Sequence, residues 1–442
     1  MSGEAEITKL GTGPTGRLTG LEKGLPCPGN DALDLSSIAD AGWNLLRGDL
    51  PLPVCTLRRK ALEHNSKRML RFLEAFAPNI VLCPHGKTTM SPQLFQRQLA
   101  DGCWGISLAT FHQVRAARRL GFDRIFYASE LVGLQEIVFV LQELAADPAF
   151  DFYCLVDSID GVERLRASAE EFSPGRPLQV LVEGGFPGGR CGVRTVESAV
   201  DVAQAVQASS PHLRLVGVEG YEGVLQTRSK KEGLAAVPAF LHSLTEMIRA
   251  CDREGLFSAC EKIILSAGGS SFYDLVAEMP RHLQLSKPLQ VVIRSGCYLT
   301  HDSGLYRRLF EDLRQRSDIA QQTDLSFDQA LEVWGHVLSI PEPDRIVVGV
   351  GQRDFGHDAG PPAVTKASRD GALPRLLDAE RYEIVIINDQ HTTIRGPADH
   401  GLKIGDTVAM SPSHPCTTFD KWRLIYEIDE SYNVVGAIET FF

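Results

Sequence analysis

The sequence predicts an (α/β)8 barrel followed by an all-β domain, and three observations lead to this prediction. Eight short apolar runs alternate with helical patterns between residues 79 and 293, which is typical of βα units and a parallel sheet. No Gly-x-Gly-x-x-Gly turn follows the first run, as it would in an open dinucleotide-binding sheet. After about residue 315, short strand-like runs alternate with Gly, Pro and Asp turns. A closed barrel with a separate β domain accounts for all three.

The predicted elements follow from these runs in chain order. The eight barrel strands are predicted at Asn79–Cys83, Cys103–Leu108, Arg124–Ala128, Phe150–Val156, Leu178–Val182, Leu213–Val218, Lys262–Leu265 and Leu289–Ile293. The helices between them are predicted at Pro92–Asp101, Phe111–Leu120, Leu131–Ala145, Gly161–Glu171, Thr195–Ala208 and Glu232–Glu254. The strands of the β domain are predicted at Val333–Ser339, Arg345–Val350, Tyr382–Asn388, Thr407–Met410, Trp422–Tyr426 and Asn433–Ile438.

Three regions result from this pattern. Residues 1–54 form an N-terminal segment, loose in its Gly-, Pro-, Ser- and Thr-rich first part, that could pack on the β domain or on the barrel. Residues 55–315 form the barrel, and residues 316–442 form the C-terminal β domain.

Composition narrows the class of partners and the cellular compartment. The formal net charge is −11, from 45 Lys and Arg against 56 Asp and Glu, which argues against nucleic acid as a partner. No apolar run approaches the roughly 18–20 residues of a membrane span. The first residues lack an apolar signal core, and the 10 Cys show no pairing framework and no Cys-x-x-Cys. We therefore expect a cytoplasmic protein with reduced thiols and no membrane contact.

A lysine at the end of the first strand is the first candidate for chemistry. Lys87 lies in Cys83-Pro-His-Gly-Lys-Thr-Thr-Met90, and barrel enzymes build their sites at the carboxyl ends of the strands. A lysine at that position can be partly desolvated and act as a nucleophile, although the residue could equally be an ordinary loop lysine. His85, two residues earlier, could move a proton or only hydrogen-bond a cofactor ring.

Glycine-rich turns after the seventh and eighth strands indicate an anion site. They read Ser266-Ala-Gly-Gly-Ser-Ser271 and Arg294-Ser-Gly-Cys-Tyr298. Barrel enzymes often bind phosphate with these two loops, because glycines let backbone N–H groups approach the anion. Either turn alone could be only a tight loop. A phosphate-bearing aldehyde facing a strand-end lysine describes pyridoxal phosphate.

Two further motifs suit ligand binding. Arg190, in a glycine-rich turn after the fifth strand, could donate to the cofactor's phenolic oxygen or bind a substrate carboxylate, or be a structural loop residue. In Ser413-His-Pro-Cys416, an extended chain would place His414 and Cys416 on one side, and imidazole with thiolate suits Zn²⁺. Other ligand candidates, each more readily explained as an ordinary loop residue, are His391, His357 and Asp358.

Taken together, these motifs resemble those of a known family. Pro84-His-Gly-Lys-Thr88 is similar to the Pro-His-x-Lys-Thr signature of the D-threonine aldolase and D-serine dehydratase family, fold-type III pyridoxal phosphate enzymes related to alanine racemase. The stretches Arg190–Val193, Ser266–Ser270, Arg294–Tyr298 and Ser413–Cys416 resemble family stretches in the same order. The chain departs from the family pattern at Thr89-Met90, Glu222 and Ser295.

The resemblance implies specific roles. Lys87 would carry the cofactor as a Schiff base, Arg190 would contact its phenolic oxygen, and Tyr221 and Tyr298 would line its site. His414 and Cys416 would hold a divalent metal, for which Zn²⁺ is favoured and Mn²⁺ and Mg²⁺ are alternatives, and a homodimer would complete each site. The phosphate would be cradled, mainly by backbone, at Gly268, Gly269, Ser270, Gly296 and Cys297.

The function that follows is a lyase acting on D-amino acids with a β-hydroxyl group. The preferred reaction is that of a D-serine dehydratase, which yields a 2-oxo acid and ammonia. A D-threonine aldolase reaction, which yields glycine and an aldehyde, remains an alternative, and so does an amino-acid racemase. A non-catalytic pyridoxal phosphate carrier is the least favoured alternative, because carriers of this barrel type lack a C-terminal β domain.

Overall fold

The computed structural model describes residues 16–26, 33–227 and 230–442. Its strands, in chain order, are β1 (Arg17–Leu18), β2 (Leu33–Asp34), β3 (Val54–Arg58), β4 (Ile80–Leu82), β5 (Ile106–Leu108), β6 (Arg124–Glu130), β7 (Asp151–Val156), β8 (Leu178–Gly184), β9 (Leu213–Gly220), β10 (Ile263–Ala267), β11 (Leu289–Ile293), β12 (Leu331–Glu342), β13 (Arg345–Val348), β14 (Ala363–Ser368), β15 (Arg375–Leu376), β16 (Glu383–Ile387), β17 (Thr392–Arg395), β18 (Thr407–Ser411), β19 (Leu424–Ile428) and β20 (Val434–Glu439).

The helices complete the element list. They are α1 (Arg59–Glu74), α2 (Pro92–Ala100), α3 (Phe111–Arg119), α4 (Leu134–Ala146), α5 (Ile159–Phe172), α6 (Val196–Ala208), α7 (Lys230–Arg253), α8 (Tyr273–Glu278), α9 (Leu305–Arg316), α10 (Asp318–Gln322) and α11 (Cys416–Phe419). Short 3-10 turns lie at Leu35–Asp40, Gly86–Thr88, Gly223–Thr227 and Met279–His282. None of the helices in the described part of the chain is long and apolar enough to cross a bilayer.

Strands β4 to β11 form one parallel eight-stranded sheet, in the order β4-β11-β10-β9-β8-β7-β6-β5. The two end strands meet, because the Trp104 N–H donates to the Leu82 carbonyl at 2.7 Å and the Ser107 N–H to the Pro84 carbonyl at 2.9 Å. Each of the eight predicted strands overlaps one of these strands. The predicted fold class, a barrel with a C-terminal all-β domain, is confirmed.

The helices cover the outside of the barrel, and their starts follow local sequence signals. Thr110, Ser158 and Thr195 precede α3, α5 and α6, and each side chain accepts a hydrogen bond from a backbone N–H of the first turn. All five residues of β10 are buried, as expected for a strand between a packed barrel interior and its helices. The strand ends are thereby held rigidly at one mouth of the barrel.

The C-terminal sheet has ten strands and includes one from the N-terminal side of the chain. Strand β3 pairs antiparallel with β12 and parallel with β19. Residues 54–58 therefore lie in the sheet of the β domain, whereas the sequence placed the start of the barrel at residue 55. The predicted boundary near residue 315 falls at the end of α9, and α10 precedes the first strand of the C-terminal region.

The described part of the N-terminal segment packs on the β domain. Leu18, Leu25 and Ile38 share a buried apolar cluster with Trp334 and Tyr426 of the C-terminal sheet. The predicted looseness of the first thirty residues falls mainly on residues 1–15 and 27–32, which lie outside the described residues.

Candidate active site and metal cluster

Lys87 lies at the barrel mouth, in a turn that only glycine permits. After β4 the chain stays extended to His85, which bridges to Ser107, and then enters the 3-10 turn Gly86–Thr88. A Cβ atom at Gly86 would lie 2.6 Å from Phe95 Cζ and 2.7 Å from Ile106 Cγ2, so a larger residue would displace the turn. The Lys87 side chain itself is exposed. Its amine is therefore free to meet a ligand at the mouth.

The imidazole of His85 is held in one orientation beside Lys87. Its Nδ1 lies 3.1 Å from the Ser107 carbonyl oxygen, which can only accept, so Nδ1 carries the proton and Nε2 is an acceptor. Burial, together with the positive charges of Lys87 and Arg294, holds the pKa of His85 well below its usual range. The ring is therefore a neutral hydrogen-bonding group near neutral pH.

A buried carboxylate organises the first glycine-rich turn. Glu222 accepts hydrogen bonds from the Gly268 N–H at 3.0 Å and the Gly269 N–H at 2.9 Å. The sequence marked Glu222 only as a departure from the family pattern. The predicted phosphate role of these two glycines stays a prediction, and in the structure their N–H groups already have an anionic partner.

The turns after β10 and β11 lie against each other. They contain Ser270, Gly296 and Cys297, the remaining residues predicted to donate to phosphate. The Cys297 N–H donates to Ser270 Oγ at 3.3 Å, and Ser295 Oγ donates to the Gly269 carbonyl at 2.7 Å. A Cβ atom at Gly296 would lie 2.7 Å from the His85 carbonyl oxygen. Ser270, Gly296 and Cys297 thus come together beside the lysine turn, as an anion cradle requires.

Arg190 and Tyr221 face each other across the same mouth. The Arg190 guanidinium carbon lies 5.0 Å from the centre of the Tyr221 ring. Burial and the nearby Glu222 raise the pKa of Tyr221 to about 12, so its hydroxyl keeps its proton. A Cβ atom at Gly269 would lie 2.8 Å from Tyr221 Cε2, which explains why glycine stands there.

Tyr298, by contrast, turns its hydroxyl toward the barrel wall. The hydroxyl accepts a hydrogen bond from Gln98 Nε2 of α2 at 3.1 Å and lies 3.9 Å from Cys103 Sγ. Burial raises the pKa of this phenol well above its usual value. Its predicted contact with the cofactor stays a prediction, and these contacts give the hydroxyl a structural use.

Three side chains of types that can bind a metal ion meet between the barrel and the C-terminal sheet. One ligand atom from each of Cys297, His414 and Cys416 lies within 4.8 Å of the other two. The Cys297 and Cys416 sulfurs are 3.7 Å apart, and Cys416 Sγ lies 3.4 Å from Thr88 Oγ1. The segment is not extended as the sequence suggested, because Pro415 has helical angles and Cys416 begins α11.

Asp358 orients the imidazole of this cluster. Its Oδ2 lies 2.7 Å from His414 Nδ1, and its Oδ1 accepts from Thr417 Oγ1 at 2.5 Å. A carboxylate on one ring nitrogen leaves Nε2 for a metal, which is the usual second contact of a metal-binding histidine. Among the described residues, His357 and His391 do not belong to the cluster and are exposed.

Protonation in the cluster is strongly coupled. Hydrogen bonds from Cys297 and His414 lower the pKa of Cys416 well below its usual value, and the resulting thiolate raises that of Cys297. Burial lowers the pKa of His414, but Cys416 and Asp358 outweigh it and raise that pKa to about 9. A thiolate beside an oriented imidazole is a donor set that fits a soft or borderline divalent metal.

The barrel interior holds further acidic groups that the sequence did not reveal. Glu219 forms a buried ion pair with Arg294, whose Nε also donates to Ser266 Oγ at 3.0 Å. Burial and the neighbouring carboxylates of Glu219 and Glu130 raise the pKa of Glu183 to about 10. Alternation along barrel strands puts these side chains inside, yet their pairing depends on which strands are neighbours.

Known proteins match most of this chain. A family model described as "Putative serine dehydratase domain" matches residues 330–428. A D-threonine aldolase of Arthrobacter sp is 27% identical over 388 residues, 86% of this chain and 89% of that protein. A 3-hydroxy-D-aspartate aldolase of Paracoccus denitrificans (strain Pd 1222) is 25% identical over 369 residues, 83% of this chain and 85% of that protein. The family resemblance is confirmed.

Solved structures agree in fold. D-threonine aldolase from Filomicrobium marinum superposes with a TM-score of 0.71 at 22% identity, over 90% of this chain and 97% of that one. D-threo-3-hydroxyaspartate dehydratase from Delftia sp. HT23 gives 0.68 at 17% identity, over 90% and 99%. The curated relatives, which are named aldolases, confirm the prediction that this protein is an enzyme.

Proposed function

We propose that this protein is a pyridoxal phosphate- and metal-dependent lyase acting on D-amino acids with a β-hydroxyl group. One observation carries the proposal. The cluster of Cys297, His414 and Cys416 lies directly beside the lysine turn, since Thr88, next to Lys87, contacts the Cys416 thiol at 3.4 Å. A substrate held at the lysine would therefore place its β-substituent near the metal ligands.

The residues at the mouth suit the cofactor. Lys87 would hold its aldehyde carbon, Arg190 would donate to its phenolic oxygen, and Ser270, Gly296 and Cys297 would donate to its phosphate. The hydrogen bond between Cys297 N–H and Ser270 Oγ supports this cradle, because it already brings donors of both turns together. When bound, the cofactor would supply an electron sink for negative charge on the substrate Cα.

Side chains of this protein would take a proton from the substrate, hold the ligand and hold the metal. Lys87, exposed at the mouth, would take the proton from the substrate Cα once its amine is released. His85 would stay neutral and hold the ligand through Nε2, because Nδ1 is committed to Ser107. His414 and Cys416 would hold the metal, whose Lewis acidity favours departure or ionisation of the substrate hydroxyl.

Dehydration is the reaction we favour. D-Serine would lose its α-proton and β-hydroxyl, and hydrolysis of the product would give pyruvate and ammonia. The sulfur and nitrogen donors support zinc over Mn²⁺ or Mg²⁺, which prefer oxygen ligands. The family model matched by residues 330–428 carries the name of a serine dehydratase, which supports the same choice.

Retro-aldol cleavage is the second candidate, and the curated relatives favour it. The relatives reported above are named as aldolases, one acting on D-threonine and one on 3-hydroxy-D-aspartate. In that reaction the substrate β-hydroxyl loses its proton, the Cα–Cβ bond breaks, Cα takes up a proton, and glycine and an aldehyde leave. The same mouth would serve both reactions.

One experiment separates the candidates. Purified holoenzyme is incubated with D- and L-serine, threonine and threo-3-hydroxyaspartate, and products are assigned as oxo acid with ammonia or as glycine with aldehyde. We expect turnover of D-substrates only, with loss of activity after chelation. Chelator-resistant loss of optical rotation would instead identify a racemase. Pyridoxal phosphate binding without any turnover would identify a carrier.

The assembly and location are part of the proposal. We propose a homodimer in the cytoplasm, and the nine described cysteines, all free thiols, support a reducing compartment. Sedimentation equilibrium is expected to give twice the 48.5 kDa chain mass. A monomer with full activity would contradict a site completed by the partner subunit.

A further inference from the structure

We infer that Cys297 is a third protein ligand of the metal bound by His414 and Cys416. The inference rests on the proposed function and deepens it, because it defines the coordination available to the substrate. The sequence reasoning gave Cys297 only a backbone role toward phosphate.

The distance between the two sulfurs supports a shared metal. Tetrahedral Zn²⁺ with Zn–S bonds of about 2.3 Å holds two sulfurs about 3.8 Å apart. Cys297 Sγ and Cys416 Sγ are separated by 3.7 Å. His414 offers a ring nitrogen within 4.8 Å of both sulfurs. The two sulfurs therefore have the spacing of two corners of a zinc tetrahedron, and the imidazole lies close enough to supply a third ligand.

Contacts between the barrel and the C-terminal sheet hold Cys297 close to His414 and Cys416. Ser303 Oγ donates to the Ser411 carbonyl at 2.7 Å, and the Leu305 N–H donates to the Ser413 carbonyl at 3.3 Å. A Cβ atom at Gly304 would lie 2.7 Å from Ser413 Cβ, so the two segments approach as closely as glycine permits. Such contacts anchor the chain after β11 to the loop after β18 and hold Cys297 against the metal loop.

The surroundings of Cys297 also suit a ligand. Its side chain is 3% exposed, so a bound metal would be shielded on the barrel side. Thr88 Oγ1 lies 3.9 Å from Cys297 Sγ and 3.4 Å from Cys416 Sγ, so one hydroxyl can donate toward either sulfur. Hydrogen bonds of this kind orient thiolate ligands and tune the metal.

A Cys₂His set changes the chemistry expected at the site. Two thiolates and a neutral imidazole balance the charge of Zn²⁺ and leave one tetrahedral position open. The substrate hydroxyl would occupy that single position alone. A site with only His414 and Cys416 would leave two positions and a net positive charge.

The first test counts sulfur ligands in the wild-type protein. Zinc X-ray absorption of the purified holoenzyme is expected to require two sulfur ligands and at least one nitrogen ligand. A fit with a single sulfur overturns the inference. This measurement needs no variant, so it holds even if substitutions at this buried position impair folding.

The second test uses variants in the cobalt-substituted holoenzyme. Cys297→Ser is expected to lose about half of the thiolate-to-cobalt charge-transfer absorbance, because it removes one of two soft ligands. Its Zn²⁺ affinity in chelator competition should fall at least about tenfold. Cys260→Ser, a buried thiol before β10 at the opposite end of the barrel, is the matched control and should keep both values. Unchanged absorbance and affinity in Cys297→Ser overturn the inference.

A disulfide between the two sulfurs is the competing explanation. Denaturing alkylation and peptide mapping of the chelated protein should recover Cys297 and Cys416 as free thiols, and bound zinc should protect both from alkylation in the folded state. Recovery of a Cys297–Cys416 disulfide from protein purified under reducing conditions overturns the inference.

Ligand number and lyase activity are measured separately, so the role of Cys297 and the proposed function can fail independently. Chelator-sensitive lyase activity with one sulfur ligand means that the function stands and the inference fails. Two sulfur ligands without lyase activity on any β-hydroxy amino acid mean that the ligand set stands and the proposed function fails.

Discussion

At the residue scale, the site depends on a few close contacts around Lys87. Thr88 contacts Cys416, the Ser107 carbonyl orients the imidazole of His85, and Glu222 accepts hydrogen bonds from the turn after β10. His85 and Thr88, on either side of the lysine turn, therefore connect it to other parts of the mouth. Substitutions here should change chemistry before they change stability.

Lys87→Ala should abolish both cofactor attachment and turnover. The amine is the only group at position 87 that can hold an aldehyde carbon, so the absorbance of the lysine-bound cofactor should vanish. We expect kcat to fall by at least about a hundredfold, as for loss of a positioned general base. Lys60→Ala, a surface lysine of α1 that pairs with Glu430, is the control and should retain both properties. Full activity in the Lys87 variant would refute its role.

Glu183→Gln should flatten the dependence of stability on pH. The folded protein raises the pKa of Glu183 from 4.5 to about 10, so the stabilisation is present below pH 4.5 and is lost as pH rises toward 10. In that window wild-type stability should fall by up to about 1.4 kcal/mol per pH unit from this group. The variant lacks that dependence, so its melting temperature relative to wild type should rise between pH 6 and 9 when measured calorimetrically.

The control for this measurement is Glu163→Gln, on the exposed face of α5, which should follow the wild-type pH dependence. An identical pH slope in wild type and the Glu183 variant would mean that the carboxyl is ionised in the folded protein.

At the element scale, one strand shows how closely the barrel is packed. Gly217 of β9 lies opposite Leu181, where the register between β8 and β9 shifts, and a Cβ atom there would lie 1.9 Å from the Ile264 carbonyl oxygen of β10. A side chain at position 217 could be accommodated only if β8, β9 and β10 moved relative to one another.

Gly217→Ala should therefore destabilise the barrel. We expect the free energy of unfolding to fall by about 1–3 kcal/mol, the cost of overpacking, measured by urea denaturation. Gly161→Ala, in the first turn of α5, meets only the capping Ser158 Oγ at 3.1 Å, a side-chain atom rather than strand backbone, and should lower the free energy of unfolding by less than Gly217→Ala. Equal stability of both variants would contradict the close approach of β9 and β10.

Across the whole molecule, the two domains share one site. Cys297 follows the last barrel strand, whereas His414 and Cys416 follow β18 of the C-terminal sheet, so the metal would link the two sheets. A ligand that binds only the folded state stabilises it by mass action.

Zinc should therefore raise the thermal stability of the whole chain. At a free Zn²⁺ concentration about a hundred times Kd, the expected gain is about 2.7 kcal/mol, and chelation should remove it. The measurement is a calorimetric melt of apo and zinc-loaded protein. The gain should shrink in Cys416→Ser and persist in Cys260→Ser, whose thiol lies outside both groups of side chains that could hold a metal ion in the described residues. An apo melt equal to the zinc-loaded melt would exclude a metal link.

The sequence by itself determined the local and repetitive features. Alternating apolar runs located all eight barrel strands, and the residues after β4, β10 and β11 marked the mouth, because strand ends of a parallel barrel share one face. His414 and Cys416 were paired from an extended segment and from the family resemblance, and the structure brings them together although Cys416 begins a helix.

Only the tertiary structure decided the partners from distant parts of the chain. Cys297 and Cys416 are 119 residues apart, so no local pattern links them, and the same holds for the Asp358 contact with His414. Strand β3 was not predicted and its residues 55–58 were placed in the barrel region, because an apolar run carries no information about which sheet it joins. The physical reason is common to these cases. The apolar pattern of a sequence indicates which residues are buried, whereas the neighbour of each buried residue depends on how the layers pack.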